Sequence, residues 1–271
     1  YKMSEKYDVV IIGAGIGGLT CGCYLAKAGL KALIVEQHNI PGGYCTSFTR
    51  QGYRFDVGVH YLGSLREEGV LHKILRDLNL LDKIEFIKPD PTDQIIVPGR
   101  KILFWRNIAK TKDDLKSHFP AEKDGIDNFF SFIINNNFLY ISYKTKQMTF
   151  KELLDIFFKE EELKAILTAP LGSVGLPAVK ASALVACVLY KEFVVDGGYY
   201  PKGGIQTFPN LLVNKFKEYN GGLKLSTRVT RIITRNERVG GIKLNSGELI
   251  QAKVVVSNAD GVSTFSNLLD C

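Results

Sequence analysis

Three glycines and one acid stand at a spacing that serves a single chemical task. Gly13-x-Gly15-x-x-Gly18 is followed by Glu36, 18 residues beyond the last glycine. Gly13 permits a tight turn, Gly15 removes a side chain where a diphosphate approaches the backbone, and Gly18 lets a helix lie close to a strand. A helix that begins at such a turn offers unpaired N–H groups and the positive end of its dipole to phosphate oxygens. Glu36 can accept hydrogen bonds from both ribose hydroxyls, and its charge repels a 2′-phosphate, so the pattern selects FAD or NAD over NADP.

The elements that must hold these groups are legible on either side of them. Val9–Ile12 is a short apolar, β-branched run, which is how a strand covered on both faces reads. Leu19–Ala28 has helical spacing closed by Gly29, and Leu30–Val35 is the next buried strand, ending on Glu36. The plainer alternative is a glycine-rich turn in an α/β fold that binds nothing. A strand before, a helix after and an acid at the right distance favour a dinucleotide.

Composition narrows the class. The 271 residues are 45% hydrophobic and 23% charged, ordinary values for a globular protein, with ample core for one large domain or two modest ones. The net charge of +7 is spread along the chain rather than bunched, so nucleic acid is not an expected partner, while an anionic membrane surface remains open as a peripheral contact. Cys21, Cys23, Cys45, Cys187 and Cys271 are odd in number and lack metal-type spacing, which points to a reducing compartment such as the cytoplasm. Cys21 and Cys23 read as small helix-packing residues, because alternate residues of a helix do not face each other. No triad, paired-carboxylate site or metal-ligand cluster is visible, which fits an enzyme whose reactive atom belongs to its cofactor. Oligomeric state leaves no mark in the sequence.

Further along, Ile40–Phe48 reads as a loop shaped by Pro41, Gly42 and Gly43, and Tyr53–Gly63 as an extended stretch. Gly69–Leu81 has helical spacing. Ile84–Trp105 turns to short strands, and Asp113–Gln147 is helical with an aromatic-rich segment after Asp124. Thr149 and Glu152 form a capping-box pair ahead of Phe150–Phe158, and Glu160–Leu167 is a further short helix. Thr168–Tyr190 is the one stretch long enough to test as a membrane span. Its prolines, glycines and Lys180 argue against that, leaving a Gly/Pro bend followed by a buried helix over Ala178–Val188. This segment either walls an apolar tunnel or simply packs. Gln206–Tyr219 is a helix, and Leu223–Leu225, Val229–Arg235, Arg238–Lys243, Leu249–Ala252 and Val254–Ala259 are strands, with a turn at Asn245-Ser246-Gly247.

Three motifs together carry a family resemblance. The βαβ unit, then Pro41-Gly42-Gly43, then Phe55-Asp56-x-Gly58 resembles the FAD-dependent carotenoid desaturase and carotenoid isomerase family, which includes the retinol saturases. Asp56–Gly63, with His60, is most similar to the retinol saturase branch, since phytoene desaturases usually carry another residue at that place. Tyr200-Pro201-x-Gly203-Gly204 is a second signature, sitting where such chains re-enter the cofactor domain. The resemblance implies an α/β fold: a Rossmann-type FAD-binding domain, its parallel sheet extended by a β-meander, with an inserted α+β substrate domain. The expected segments are 1–82 and 199–271 for the FAD domain and 83–198 for the substrate domain. The family pattern continues past this chain into a further Gly-rich FAD segment, so a truncated member, incomplete at its C-terminal side, is expected.

The same resemblance implies cofactor contacts from Gly13, Gly15, Ile16, Gly17, Gly18, Glu36, Gln37, Gly42, Gly43, Tyr44, His60, Tyr61 and Val229. FAD is the implied cofactor, with NAD second. His60 can give a proton to a double bond being reduced, or can be a histidine bonded to backbone at a strand end. The implied activity is saturation, desaturation or isomerisation of carbon–carbon bonds in a lipophilic polyene or isoprenoid. A flavin amine oxidase shares the fold but carries arginines where Ile40 and Tyr44 stand. A prenyl-binding chaperone of the GDP-dissociation-inhibitor type shares it without needing the glycines.

Overall fold

The structure, a computed structural model, describes residues 6–59, 61–236 and 238–269. Two compact units emerge: residues 1–61, 72–86 and 201–271 form one, and residues 62–71 and 87–200 form the other.

The first unit is built on a six-stranded sheet. Its elements are β1 (Lys6–Ile12), α1 (Ile16–Lys27), β2 (Ala32–Val35), α2 (Thr207–Glu218), β3 (Gly222–Lys224), β4 (Val229–Arg235), β5 (Arg238–Leu244) and β6 (Leu249–Ser257). The strand order is β4-β5-β6-β1-β2-β3. β6, β1, β2 and β3 run parallel, and β4, β5 and β6 form an antiparallel meander on the same sheet. The period-two alternation of a strand explains the burial: Val10 and Ile12 face one side with Leu33, Val35, Val229, Ile242 and Ile250, while Val9 and Ile11 face the other. α1 and α2 cover that second side. α1 lies close to the sheet at Gly22, where an added Cβ would fall 2.8 Å from Ile34 Cδ1. Cys23 is fully buried, and its thiol donates to the Leu212 carbonyl at 3.3 Å. It is a packing residue, as its helical position implies.

Two expectations need correction. Leu249–Ala252 and the stretch from Val254 to Ser257 belong to one strand, β6, which pairs antiparallel with β5 over residues 249–251 and parallel with β1 over residues 251–257. Lys253, between the two expected strands, stands on an exposed position and pairs with Asp8 at 2.7 Å. The loop around Ile40–Phe48 is also shorter than expected, because Ser47–Arg50 pairs with Tyr53–Asp56 as a hairpin.

The second unit has an aromatic core. Phe129 makes ring contacts with Phe130, Phe150, Phe157, Phe158 and Tyr190, with centroids 5.4–6.5 Å apart. Around it pack the hairpin Asp93–Val97/Arg100–Phe104 and the helices Ile108–His118, Lys123–Asn135, Phe138–Thr145, Phe150–Phe157 and Glu161–Thr168. The capping box forms: Thr149 Oγ1 accepts from the Glu152 N–H, and the Glu152 carboxylate accepts from the Thr149 N–H at 2.8 Å. The helix expected over Ala178–Val188 begins only at Ala183. The Phe150 N–H donates to the Ala181 carbonyl and the Lys151 N–H to the Ala178 carbonyl, so those two carbonyls cannot serve a helix of their own. No helix among the described residues is long and apolar enough to cross a membrane.

Candidate nucleotide-binding site

At the carboxyl ends of β1 and β2 the first unit contains a cavity of about 650 Å³, within the usual range of small-molecule sites, roughly 300–1,000 Å³. Five stretches assemble its wall, the fifth being the segment after β6 described below. The glycine turn contributes Gly13, Gly15, Ile16 and Gly17; the end of β2 contributes Glu36 and Gln37; the next loop contributes Gly42, Gly43, Tyr44 and Cys45; and the start of β4 contributes Thr227 to Thr230.

Local chemistry explains why these stretches meet. Gly13 has φ +99°, a backbone conformation that a side chain would strain, and this lets the chain reverse directly after β1. Gly15 is the N-cap of α1, and neither a capping side chain nor an acid in the first turn neutralises that end of the helix. The loop is clasped to the turn by the Gly42 N–H, which donates to the Ala14 carbonyl at 2.8 Å. Gly43 stands so close that a Cβ on it would lie 3.3 Å from Gly15 Cα. Glu36 Oε2 accepts from the Ala14 N–H at 2.7 Å, and Oε1 accepts from the His38 N–H at 2.8 Å. Each carboxylate oxygen keeps a further lone pair for a ribose hydroxyl. The Glu36 and His38 carbonyls accept from Thr227 and Ser226, which fixes the chain leading into β4 as the far wall.

The two signatures separated in sequence converge here. Gln206, buried, donates from Nε2 to the Pro41 carbonyl at 2.9 Å and accepts from the Ser47 N–H at 3.2 Å. Arg54 donates to the Gly203 carbonyl at 2.6 Å. The Gly203–Gln206 segment is thus the brace of the Pro-Gly-Gly loop, a role that no spacing in the sequence announces.

Of the residues expected to touch a cofactor, Gly13, Gly15, Ile16, Gly17, Glu36, Gln37, Gly42, Gly43, Tyr44 and Val229 line this one cavity. Tyr44 stands 82% exposed at its rim. Gly18 lies behind the wall: a Cβ there would sit 2.2 Å from the Gly13 carbonyl oxygen, so it serves the contact between α1 and the turn. Tyr61 is not among the lining residues. His60 lies outside the described residues. Cys45 lines the cavity, but burial pushes its thiol up from its ordinary value, so it is not a ready thiolate.

Asn258 belongs to the Val254–Ala259 stretch, whose end the family resemblance places near the cofactor, but a part for its side chain in the site is not among the expected contacts. It follows β6, its N–H donates to the Ile12 carbonyl at 2.8 Å, and its side chain lies across the glycine turn. A Cβ on Gly15 would fall 2.9 Å from Asn258 Nδ2, and one on Gly17 would fall 2.7 Å from Oδ1. The missing side chains therefore leave room for a carboxamide as well as for a phosphate. The one available signal was its place at the carboxyl end of a parallel strand, where ligands of open α/β sheets bind. Asp260 and Ser263 complete this edge. Among the described residues no group of His, Cys, Asp and Glu could hold a metal ion.

The fit to a dinucleotide is physical: a cradle that any Cβ would obstruct, a helix start with no capping side chain or acid in its own first turn, and a carboxylate fixed at the turn. Comparisons with known proteins agree. Residues 11–78 match the family model described as an NAD(P)-binding Rossmann-like domain. A chloroplastic prolycopene isomerase of Daucus carota is 30% identical over 296 residues, 98% of this chain and 48% of that protein. An all-trans-retinol 13,14-reductase of Danio rerio is 25% identical over 99% of this chain and 50% of that protein, and a protein of the same organism named as an inactive all-trans-retinol 13,14-reductase is 26% identical with the same coverage. The chain spans about half the length of the curated relatives it matches. An oxidoreductase from Methanosarcina mazei superposes with a TM-score of 0.75 at 17% identity, over 97% of this chain and 61% of the other, and shares the fold. A Rab GDI from Plasmodium falciparum shares it as well, with a TM-score of 0.61 at 16% identity over 96% of this chain and 67% of the other.

Proposed function

We propose, with the chain's kinship to the prolycopene isomerases and retinol 13,14-reductases as premise, that its first unit binds FAD and that the protein acts on carbon–carbon bonds of a lipophilic polyene or isoprenoid. The reaction is saturation, desaturation or isomerisation. The observation that carries the reading is Glu36: its carboxylate is held at 2.7 Å on the Ala14 N–H, inside the glycine turn and on the wall of the same cavity. A carboxylate so held supports a ribose acceptor beside bare backbone that suits the diphosphate.

FAD, when bound, supplies hydride chemistry at its isoalloxazine ring. The chain's own part is to bind and orient. Gly13, Gly15 and Gly17 admit the diphosphate, the start of α1 offsets its charge, and Glu36 rejects a 2′-phosphate. The loop at Pro41–Tyr44, braced by Gln206, forms the next wall. The inserted unit supplies apolar surface of the kind a polyene requires, including a pocket of about 210 Å³ lined by Leu171, Leu176, Val185 and Leu189.

Mass spectrometry of the ligand released from protein purified without added cofactor tests the reading. FAD at near-stoichiometric yield, with a flavin absorbance spectrum, is the expected result. A colourless protein that takes up no added FAD and binds a prenylated peptide would replace this reading with a non-catalytic prenyl carrier.

A further inference from the structure

We propose that the helix Phe138–Thr145 is a membrane-docking element that seats on an anionic bilayer. The helix is two-faced. Ile141 and Thr145 are buried against the second unit, while Phe138, Leu139 and Tyr143 are 59%, 77% and 76% exposed. It packs beside the helix Ala183–Leu189, on which Val185 and Val188 also stand exposed. Scattered exposed apolar residues are ordinary, but adjoining ones mark a surface made for contact.

Charge selects the occupant. From Asn128 to Phe150 the sequence contains no Asp or Glu, and Lys144 and Lys146 follow directly on the aromatics. Lys144 Nζ lies 5.6 Å over the Tyr140 ring, at the edge of the apolar face. Apolar and aromatic side chains bordered by lysine, without acids, are the composition of helices that lie in a lipid interface. Tyrosine suits that depth because its ring is apolar and its hydroxyl stays at headgroup level. A second copy of this chain docking on the same face would set lysine against lysine with no carboxylate in the segment to receive either. Anionic lipid answers both the apolar face and the charge. This surface lies within the second unit and stands independently of the nucleotide cavity.

Co-sedimentation with vesicles tests it, using phosphatidylcholine alone or mixed with phosphatidylserine, at low and high salt. The protein is expected to sediment with the mixed vesicles, less so in high salt, and weakly with phosphatidylcholine alone. Leu139→Ser with Tyr143→Ser is expected to lower partitioning about tenfold or more. Lys144→Gln and Lys146→Gln are each expected to remove roughly fivefold of the preference for the anionic surface. All four positions are exposed, and an unchanged melting temperature confirms that the variants remain folded. Variants that sediment like the wild type, or a wild type that ignores both vesicles, would overturn the proposal. So would a concentration-dependent dimer in light scattering that the double variant abolishes, since the occupant would then be a second copy. Flavin content measured on the same samples reports on the first unit alone, so failure there leaves this result standing.

Discussion

One methyl group added at two neighbouring glycines should produce opposite outcomes. Gly15→Ala brings a Cβ within 2.9 Å of Asn258 Nδ2, the far end of an exposed side chain that can swing aside. Gly15 also has φ −65°, which any L residue adopts. Stability should therefore stay within about 0.5 kcal/mol of wild type. The methyl group nevertheless stands on the face the diphosphate must approach. Gly18→Ala brings its Cβ to 2.2 Å from a backbone carbonyl, that of Gly13, where side-chain Cβ atoms come no nearer than 3.0 Å, so α1 or the turn must yield 3.0 − 2.2 = 0.8 Å. Forced overpacking of this kind costs about 1–3 kcal/mol. At this chain length that is a fall of roughly 2–12 °C in melting temperature. Thermal melts of the ligand-free variants, followed by FAD titrations monitored by flavin fluorescence, separate the two effects. Gly15→Ala should melt like wild type and bind FAD about tenfold or more weakly, a loss of about 1.4 kcal/mol. A Gly18→Ala protein that melts like wild type would show that the helix does not rest on the turn. A Gly15→Ala protein with undiminished affinity would show that no phosphate comes to that face.

Three further outcomes follow from single residues. Asn258→Asp puts a negative charge across the glycine turn and should weaken FAD binding about tenfold or more, about 1.4 kcal/mol, whereas Asn258→Ala should change it far less; the same titration checks both. Burial pushes the Asp93 carboxyl up from its ordinary value, and its Oδ2 has no hydrogen-bond partner among the described residues. A group raised in the folded state gives its full contribution below its ordinary pKa and loses it as pH climbs through the raised value. Asp93→Asn should thus stabilise the fold by about 1 kcal/mol at neutral pH and give no gain in acid, as read from urea unfolding at both. Burial also pushes the Cys23 and Cys187 thiols up to about 12. Both should resist a thiolate-specific reagent until the protein is unfolded, which peptide mapping after labelling would show.

What the sequence disclosed and what it hid divide along the range of the interactions involved. β1, α1 and β2 are specified by neighbours: a β-branched run, a glycine turn and a helical stripe within thirty-odd residues. The capping box at Thr149 and Glu152 is equally local. The late start of the helix at Ala183 is set by Phe150 and Lys151, whose N–H groups claim carbonyls some thirty residues away. The hairpin through Arg50 and Tyr53 turns on Gln51 and Gly52, both with positive φ, and glutamine gives no warning of that conformation. Asn258 is one polar residue after an apolar strand, and only the pairing of β6 with β1 carries it over the glycines. Glu36 was legible as an acid at a spacing. Its hold on the Ala14 N–H, which fixes its direction, belongs to the folded chain.

The parallel pairing of β1 with β6 also governs when the site can exist. Asp8 and Lys253, which meet across that pair, are 245 residues apart. At about 5–20 residues per second, a ribosome needs roughly 12–50 s to travel that distance. For that interval one edge of Val9–Ile12 is an unpaired β-branched template, open to any extended segment that passes. The inserted unit, whose contacts close largely between residues 87 and 200, can fold meanwhile. The nucleotide cradle must wait for β6, so the apolar edge of β1 is where nascent-chain mispairing would strike first.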